Sequence, residues 1–162
     1  MSDIALWIAL LASPETEQRI KAAKELAQLG SNAVGAAVAL TYACGDNSDK
    51  VRKWAVIGLE KIGAPNLTDL HRLIDLLTDL NAEVAYWAAT LLGRLGINAG
   101  PAVTALEAAL TSAPKSVRQR AAWALGEIGP SAALALDSLH KAVESDDPCL
   151  AQQAMRAINQ IN

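Results

Sequence analysis

The sequence has no phenylalanine, and aromatic residues make up only 4% of its 162 positions. A core of that composition must be filled by aliphatic side chains packed at close range. Histidine occurs twice and cysteine twice, with Cys44 and Cys149 far apart and no second Cys or His beside either. This spacing suggests neither a disulfide framework nor a zinc site, and a reducing cytoplasm is the expected setting. Charged residues are 19% of the chain and the net charge is −3, which leaves too thin a basic surface for tracking nucleic-acid phosphates. Long apolar runs are missing too. Leu26 to Gly45 carries no charge, but Gln28, Ser31, Asn32 and two glycines interrupt it, which does not suit a membrane span. Ile4–Ala12 is apolar like the middle of a signal peptide, yet Asp3 precedes it where a basic residue belongs.

What the chain does have is alanine and leucine, within a hydrophobic fraction of 52%. Val and Ile are sparse, which favours helices packed through small side chains, and the length suits one domain with a sizeable core. An all-α class follows.

A period of 33 organises the chain. Gly30, Gly63, Gly96 and Gly129 recur at that interval, and one further step lands on Asn162. Glycine ends helices by adopting a left-handed conformation, and asparagine is the next best residue for it. One position upstream stand Leu29, Ile62, Leu95, Ile128 and Ile161; four upstream, Leu26, Leu59, Leu92, Leu125 and Ile158; eight upstream, Ala22, Ala55, Ala88, Ala121 and Ala154. Spacings of one, four and eight trace one stripe of an α-helix, extended at twelve by Val51, Val84, Val117 and Leu150. Ten residues downstream, Leu40, Leu73, Leu106 and Leu139 mark a second helix, with Cys44, Leu77, Leu110 and Val143 four further on. Projected back, that register reaches Trp7, which places the apolar N-terminus in the first helix of the first repeat and Trp7 in a core column.

The periodicity predicts first helices over 3–12, 32–45, 66–79, 99–112 and 132–145, and second helices over 14–29, 48–62, 81–95, 114–128 and 147–161. Ser13-Pro14 and Asp147-Pro148 read as helix starts, and Pro101 and Pro130 open first helices. The repeats are 1–30, 31–63, 64–96, 97–129 and 130–162, forming one domain. Such hairpins cannot bury their apolar faces singly, so they stack into a right-handed α-α superhelix. The last helix, with Gln152, Gln153, Asn159 and Gln160, suits a solvent-facing cap.

Val51-Arg52-Lys53-Trp54-Ala55 through Leu59-Glu60-Lys61-Ile62-Gly63, and Val117-Arg118-Gln119-Arg120-Ala121 through Leu125-Gly126-Glu127-Ile128-Gly129, resemble the signature of HEAT repeats of the short subtype named after phycobilisome lyases. The first and third repeats depart from it, with Gln18 for the Val and Ala85 for the Arg. The resemblance implies a helical solenoid and says little of function. Ankyrin repeats share the period but carry a TPLH turn that is missing here. The arginine column Arg19, Arg52 and Arg118 is read, as in the resembling family, as tying neighbouring repeats together through acceptors in the inter-repeat turns.

Catalysis has little to stand on. Neither His71 nor His140 is followed by Glu as in HEAT-like hydroxylases, and no phosphate loop or nucleophile elbow is present. No metal or cofactor is expected, and the chain is read as a non-enzyme. Off the core stripe, one column of the second helices reads Lys21, Trp54, Trp87, Arg120 and Gln153, and its neighbour Lys24, Ile57, Thr90, Trp123 and Arg156. Trp54, Ile57, Tyr86, Trp87 and Trp123 are therefore expected to form an exposed patch on a concave face, flanked by Lys53, Lys61, Arg94 and Arg120. The second helices hold 12 of the 14 basic residues but only 8 of the 17 acidic ones, so the partner expected there is an acidic protein or peptide segment. The leading reading is a monomeric interaction scaffold. Resemblance supplies two others: a bilin lyase or its accessory subunit, and a HEAT-like DNA glycosylase in which Glu83, Glu127 and Trp87 would act on a base.

Overall fold

A computed structural model describes residues 4–162. Every regular element among them is helical. They divide into two compact units, one ending at Asp69 and one running from Leu70 to Asn162, with the boundary inside the third repeat. The first unit holds α1 (Ile4–Leu11), α2 (Thr16–Leu29), α3 (Ala37–Ala43) and α4 (Asp49–Lys61). The second holds α5 (Leu70–Leu76), α6 (Ala82–Arg94), α7 (Val103–Ser112), α8 (Lys115–Ile128), α9 (Leu136–Val143) and α10 (Pro148–Ile161). Even-numbered helices are the second members of the hairpins. They pack on one another, α2 on α4 in one unit and α6 on α8 on α10 in the other, more extensively than the odd-numbered helices do.

The alanine column explains that closeness. Ala22, Ala55, Ala88, Ala121 and Ala154 are all fully buried, and a methyl side chain lets two backbones approach. Leu26, Leu59, Leu92 and Leu125 fill the space beside them, and Leu40, Leu73, Leu106 and Leu139 enter from the first helices, each with no exposed surface. Burying such a leucine stabilises the fold by about 1.5–3 kcal/mol, so the two leucine columns dominate the core.

Each repeat glycine has a positive φ, 55° at Gly30, 75° at Gly63, 56° at Gly96 and 72° at Gly129. The ψ values at Gly30 and Gly129 are −129° and −144°, outside the left-handed helical well and in a region that only glycine enters readily. Asparagine tolerates the former and not the latter, so Asn162 shares the column without being its chemical equivalent.

The second helices match the periodicity closely, whereas the first helices of repeats two to five begin four or five residues later than it predicts. Residues 30–36, 67–69, 96–102 and 129–135 are 3-10 turns instead. Ala33 (φ −91°, ψ 16°) and Ala99 (φ −89°, ψ 15°) break the α-helical ladder there, and Pro101 and Pro130 lie within these turns rather than at α-helix starts. Ser13-Pro14 likewise stands before its helix: α2 begins at Thr16, and Ser13 Oγ accepts the Glu15 N–H at 3.1 Å. Asp147-Pro148 does start α10, with the Asp147 carboxylate accepting the Cys149 N–H at 3.1 Å. Position 3 of the first expected helix lies outside the described residues. Trp7 is half-buried, not core, because α1 fully buries none of its residues and the Lys21 ammonium lies 5.8 Å from the indole centroid.

Candidate functional site

In the second unit the structure joins three of the expected residues through one cation. The Arg120 guanidinium on α8 lies 4.6 Å from the centre of the Tyr86 ring on α6 and 5.0 Å from that of Trp123, and it donates to the Tyr86 hydroxyl. Such placement over two electron-rich faces is a cation–π arrangement. Trp123 is held by a notch opposite it. A Cβ added at Gly93 would stand 2.9 Å from Cη2 and 3.0 Å from Cε3 of the indole, so the missing side chain of α6 is what seats the ring on α8. Beside the cluster opens a cavity of about 240 Å³, walled by Tyr86, Arg120 and Trp123 together with Ser116, Gln119, Cys149 and Gln153. Gln153 Oε1 is buried and has no hydrogen-bond partner among the described residues. Gln119 Nε2 donates to Asp147 Oδ2 at 2.8 Å, which fixes the amide at the cavity wall.

The rest of the expected patch is arranged differently. Trp87 is 7% exposed: Tyr86 meets it edge-on with centroids 5.8 Å apart, and the Arg94 guanidinium lies 5.8 Å over its ring. It is a core residue rather than an exposed one. That placement also removes it as a base-stacking residue, while Glu127 pairs with Arg156 at 3.9 Å and accepts from Gln160 at 3.4 Å. Trp54 and Ile57 belong to the first unit and are half-buried, with the Lys24 ammonium 5.9 Å from the Trp54 centroid. Lys53 and Lys61 are exposed and Arg94 is half-buried.

The family model for HEAT repeats matches residues 4–92 and 103–162. The chain belongs to the HEAT-repeat family. No curated protein matches it in sequence. Among solved structures, it is similar to a designed armadillo repeat protein in complex with peptide (KR)4, at 22% identity and a TM-score of 0.68, covering 98% of this chain and 82% of that one. An engineered protein matches at 24% identity and a TM-score of 0.65, covering 99% and 80%. The complex of CpcE and CpcF of phycocyanin lyase from Nostoc sp. PCC7120 matches at 25% identity and a TM-score of 0.67, covering 100% of this chain and 66% of that one.

Of the arginines in the first unit, Arg19 acts as the column suggests, gripping Asp46 in the turn before α4 of the next repeat. Arg52 does not: it binds within its own repeat, Nη1 donating to the Asp46 carbonyl at 2.6 Å and Nη2 to the Asp49 carboxylate. Burial pushes the Asp46 carboxyl up, but the Arg19 hydrogen bond, the Ser48 N–H and the charges of Arg19 and Arg52 outweigh it and hold it below its ordinary range. Asp147 is held low in the same way: burial raises it, and Gln119, the N–H groups of Leu150 and Cys149 and the Lys115 charge lower it further. Ser116, Gln119, Cys149 and Gln153 carried no signal in the sequence as a group; only the 33-residue offset from Trp87 through Arg120 marked Gln153 as a member of the face. Among the described residues no His, Cys, Asp and Glu cluster could hold a metal ion, and no helix is long and apolar enough to cross a membrane.

Proposed function

We propose that this HEAT-repeat protein is a non-catalytic binding module, and that the face carrying Tyr86, Arg120 and Trp123 holds an extended segment of a protein partner with an acidic side chain at Arg120. The observation that supports this most is the buried, unpartnered Gln153 Oε1 on a cavity whose other walls offer a cation, a hydroxyl and two aromatic faces. A peptide group satisfies that set, its N–H donating to Gln153 Oε1 and its carbonyl accepting from Ser116 or Arg120. The aromatic walls exclude water and strengthen those bonds. The designed armadillo relative is complexed with a basic peptide, (KR)4; the cation here selects the opposite charge. Arg94, in the same unit, adds positive potential that steers an acidic segment without fixing its residence.

Fluorescence anisotropy with labelled Glu-rich and Lys/Arg-rich peptides tests this reading. The acidic peptide should bind, more weakly at high salt, and Arg120→Gln and Gln153→Ala should each weaken it at least about tenfold with an unchanged helical spectrum. Equal binding of both peptides, or indifference to both substitutions, refutes it. The likeness to the phycocyanin lyase complex supports a second reading, an accessory subunit of a bilin lyase, which absorbance on mixing with a linear tetrapyrrole examines directly.

A further inference from the structure

Where the arginine column meets the following inter-repeat turn, the repeats are not alike. In the first unit, Arg19 Nε donates to Asp46 Oδ2 at 2.7 Å and Nη2 to Oδ1 at 3.1 Å, with only 15% and 12% of the two side chains exposed. Three repeats later Arg19 becomes Arg118 and Asp46 becomes Ser145. α8 thus presents the same guanidinium to a turn in which that position carries a hydroxyl, the acidic residues standing instead at Glu144, Asp146 and Asp147. Arg118 Nε is buried and has no hydrogen-bond partner among the described residues. An unsatisfied donor on a charged group is costly in a folded protein, and it points at something able to accept from it.

The Arg118 side chain borders a cavity of about 270 Å³, whose walls include Thr111, Ser138, Lys141, Ser145 and Leu150. The pocket one repeat earlier has the same construction, with Ala85 for Arg118, Ala108 for Lys141 and Ser112 for Ser145. A pocket at this place is therefore a product of the repeat geometry; what distinguishes the later one is its pair of cations.

We propose that the Arg118 pocket binds a small carboxylate, whose head group takes the position that the Asp46 carboxylate takes opposite Arg19. The guanidinium edge matches two coplanar oxygens. Lys141 is exposed and supplies a second positive charge. Ser145 Oγ accepts the Asp147 N–H at 3.2 Å and keeps its own proton to donate. Ser138 contributes less, because its hydroxyl is engaged with Glu107 Oε1 at 2.6 Å. The Glu107 charge behind that wall disfavours a dianion, which is why a monocarboxylate fits better than phosphate. The site lies apart from the Tyr86–Arg120–Trp123 cavity, shares no lining residue with it and does not depend on the function proposed for that face.

The test follows the Arg118 Nε–H resonance by NMR during titration with acetate, with inorganic phosphate and with chloride at constant ionic strength. Acetate should shift it saturably with a dissociation constant on the order of 1 mM, and Lys141→Ala should weaken this by about threefold. Ser145→Asp restores a carboxylate to the position that Asp46 holds opposite Arg19, so the resonance should start near its acetate-bound position and no longer respond. Arg118→Gln should abolish the rise in melting temperature that acetate produces over chloride. The proposal is overturned if acetate acts no differently from chloride, if phosphate alone shifts the resonance, or if Ser145→Asp titrates like the native chain.

Discussion

Gly93→Ala sets two effects of known sign against each other. Replacing glycine by alanine within a helix stabilises by up to about 1 kcal/mol through backbone entropy. The new methyl on α6, however, would stand 2.9 Å from Trp123 Cη2 and 3.0 Å from Cε3, and ordinary contact needs at least 3.4 Å. An indole cannot bend, and the Arg120 guanidinium 5.0 Å from its centre is also engaged with Tyr86, so the ring must slide and disturb the cluster. Overpacking of this kind costs about 1–3 kcal/mol, which exceeds the helical gain. The net expectation is a loss of about 1 kcal/mol. In a Trp123→Ala background the clash disappears, and the same substitution should stabilise by up to about 1 kcal/mol. Urea denaturation of the four proteins gives the coupling between the sites, expected at about 1–3 kcal/mol. Additivity within about 0.5 kcal/mol would refute the seating of Trp123 on Gly93.

Trp87→Ala should cost about 3–5 kcal/mol and Leu92→Ala about 2–5 kcal/mol, since both side chains are buried; a near-neutral Trp87→Ala in the same denaturation assay would put the ring on the surface. Gly129→Ala should destabilise by about 1–3 kcal/mol through its φ of 72° and ψ of −144°, without loss of helix in circular dichroism. Asp46 and Asp147 both have folded-state pKa values below their ordinary range. Their contribution is present above the unfolded value of about 3.9 and is lost as the pH falls through the folded values. Urea midpoints at pH 7 and pH 3 should therefore differ less in Asp46→Asn than in the native chain.

The repeat, the helix pairs and the core columns were legible in the sequence because helical geometry is local. Burial at spacings of four and eight depends only on which face a residue occupies, so Ala55, Ala88 and Ala121, or Leu59, Leu92 and Leu125, could be assigned without coordinates. Local reasoning stopped at the turns after the repeat glycines, where Ala33 and Ala99 leave the α-helical ladder and are buried together with Ala36 and Ala102. It also stopped at the candidate site. Trp87 and Trp123 occupy neighbouring columns of the same face, yet one is buried, with Tyr86 and Arg94 against its ring, and the other rests in the notch of Gly93. Arg120 is bound between Tyr86 and Trp123, with Tyr86 34 residues away in sequence, and Arg118 reaches a turn with Ser145 at the position where Arg19 finds the Asp46 carboxylate. Periodicity determines which face a side chain occupies. What meets it there depends on the volume and charge of residues a repeat away, and only tertiary packing decides that.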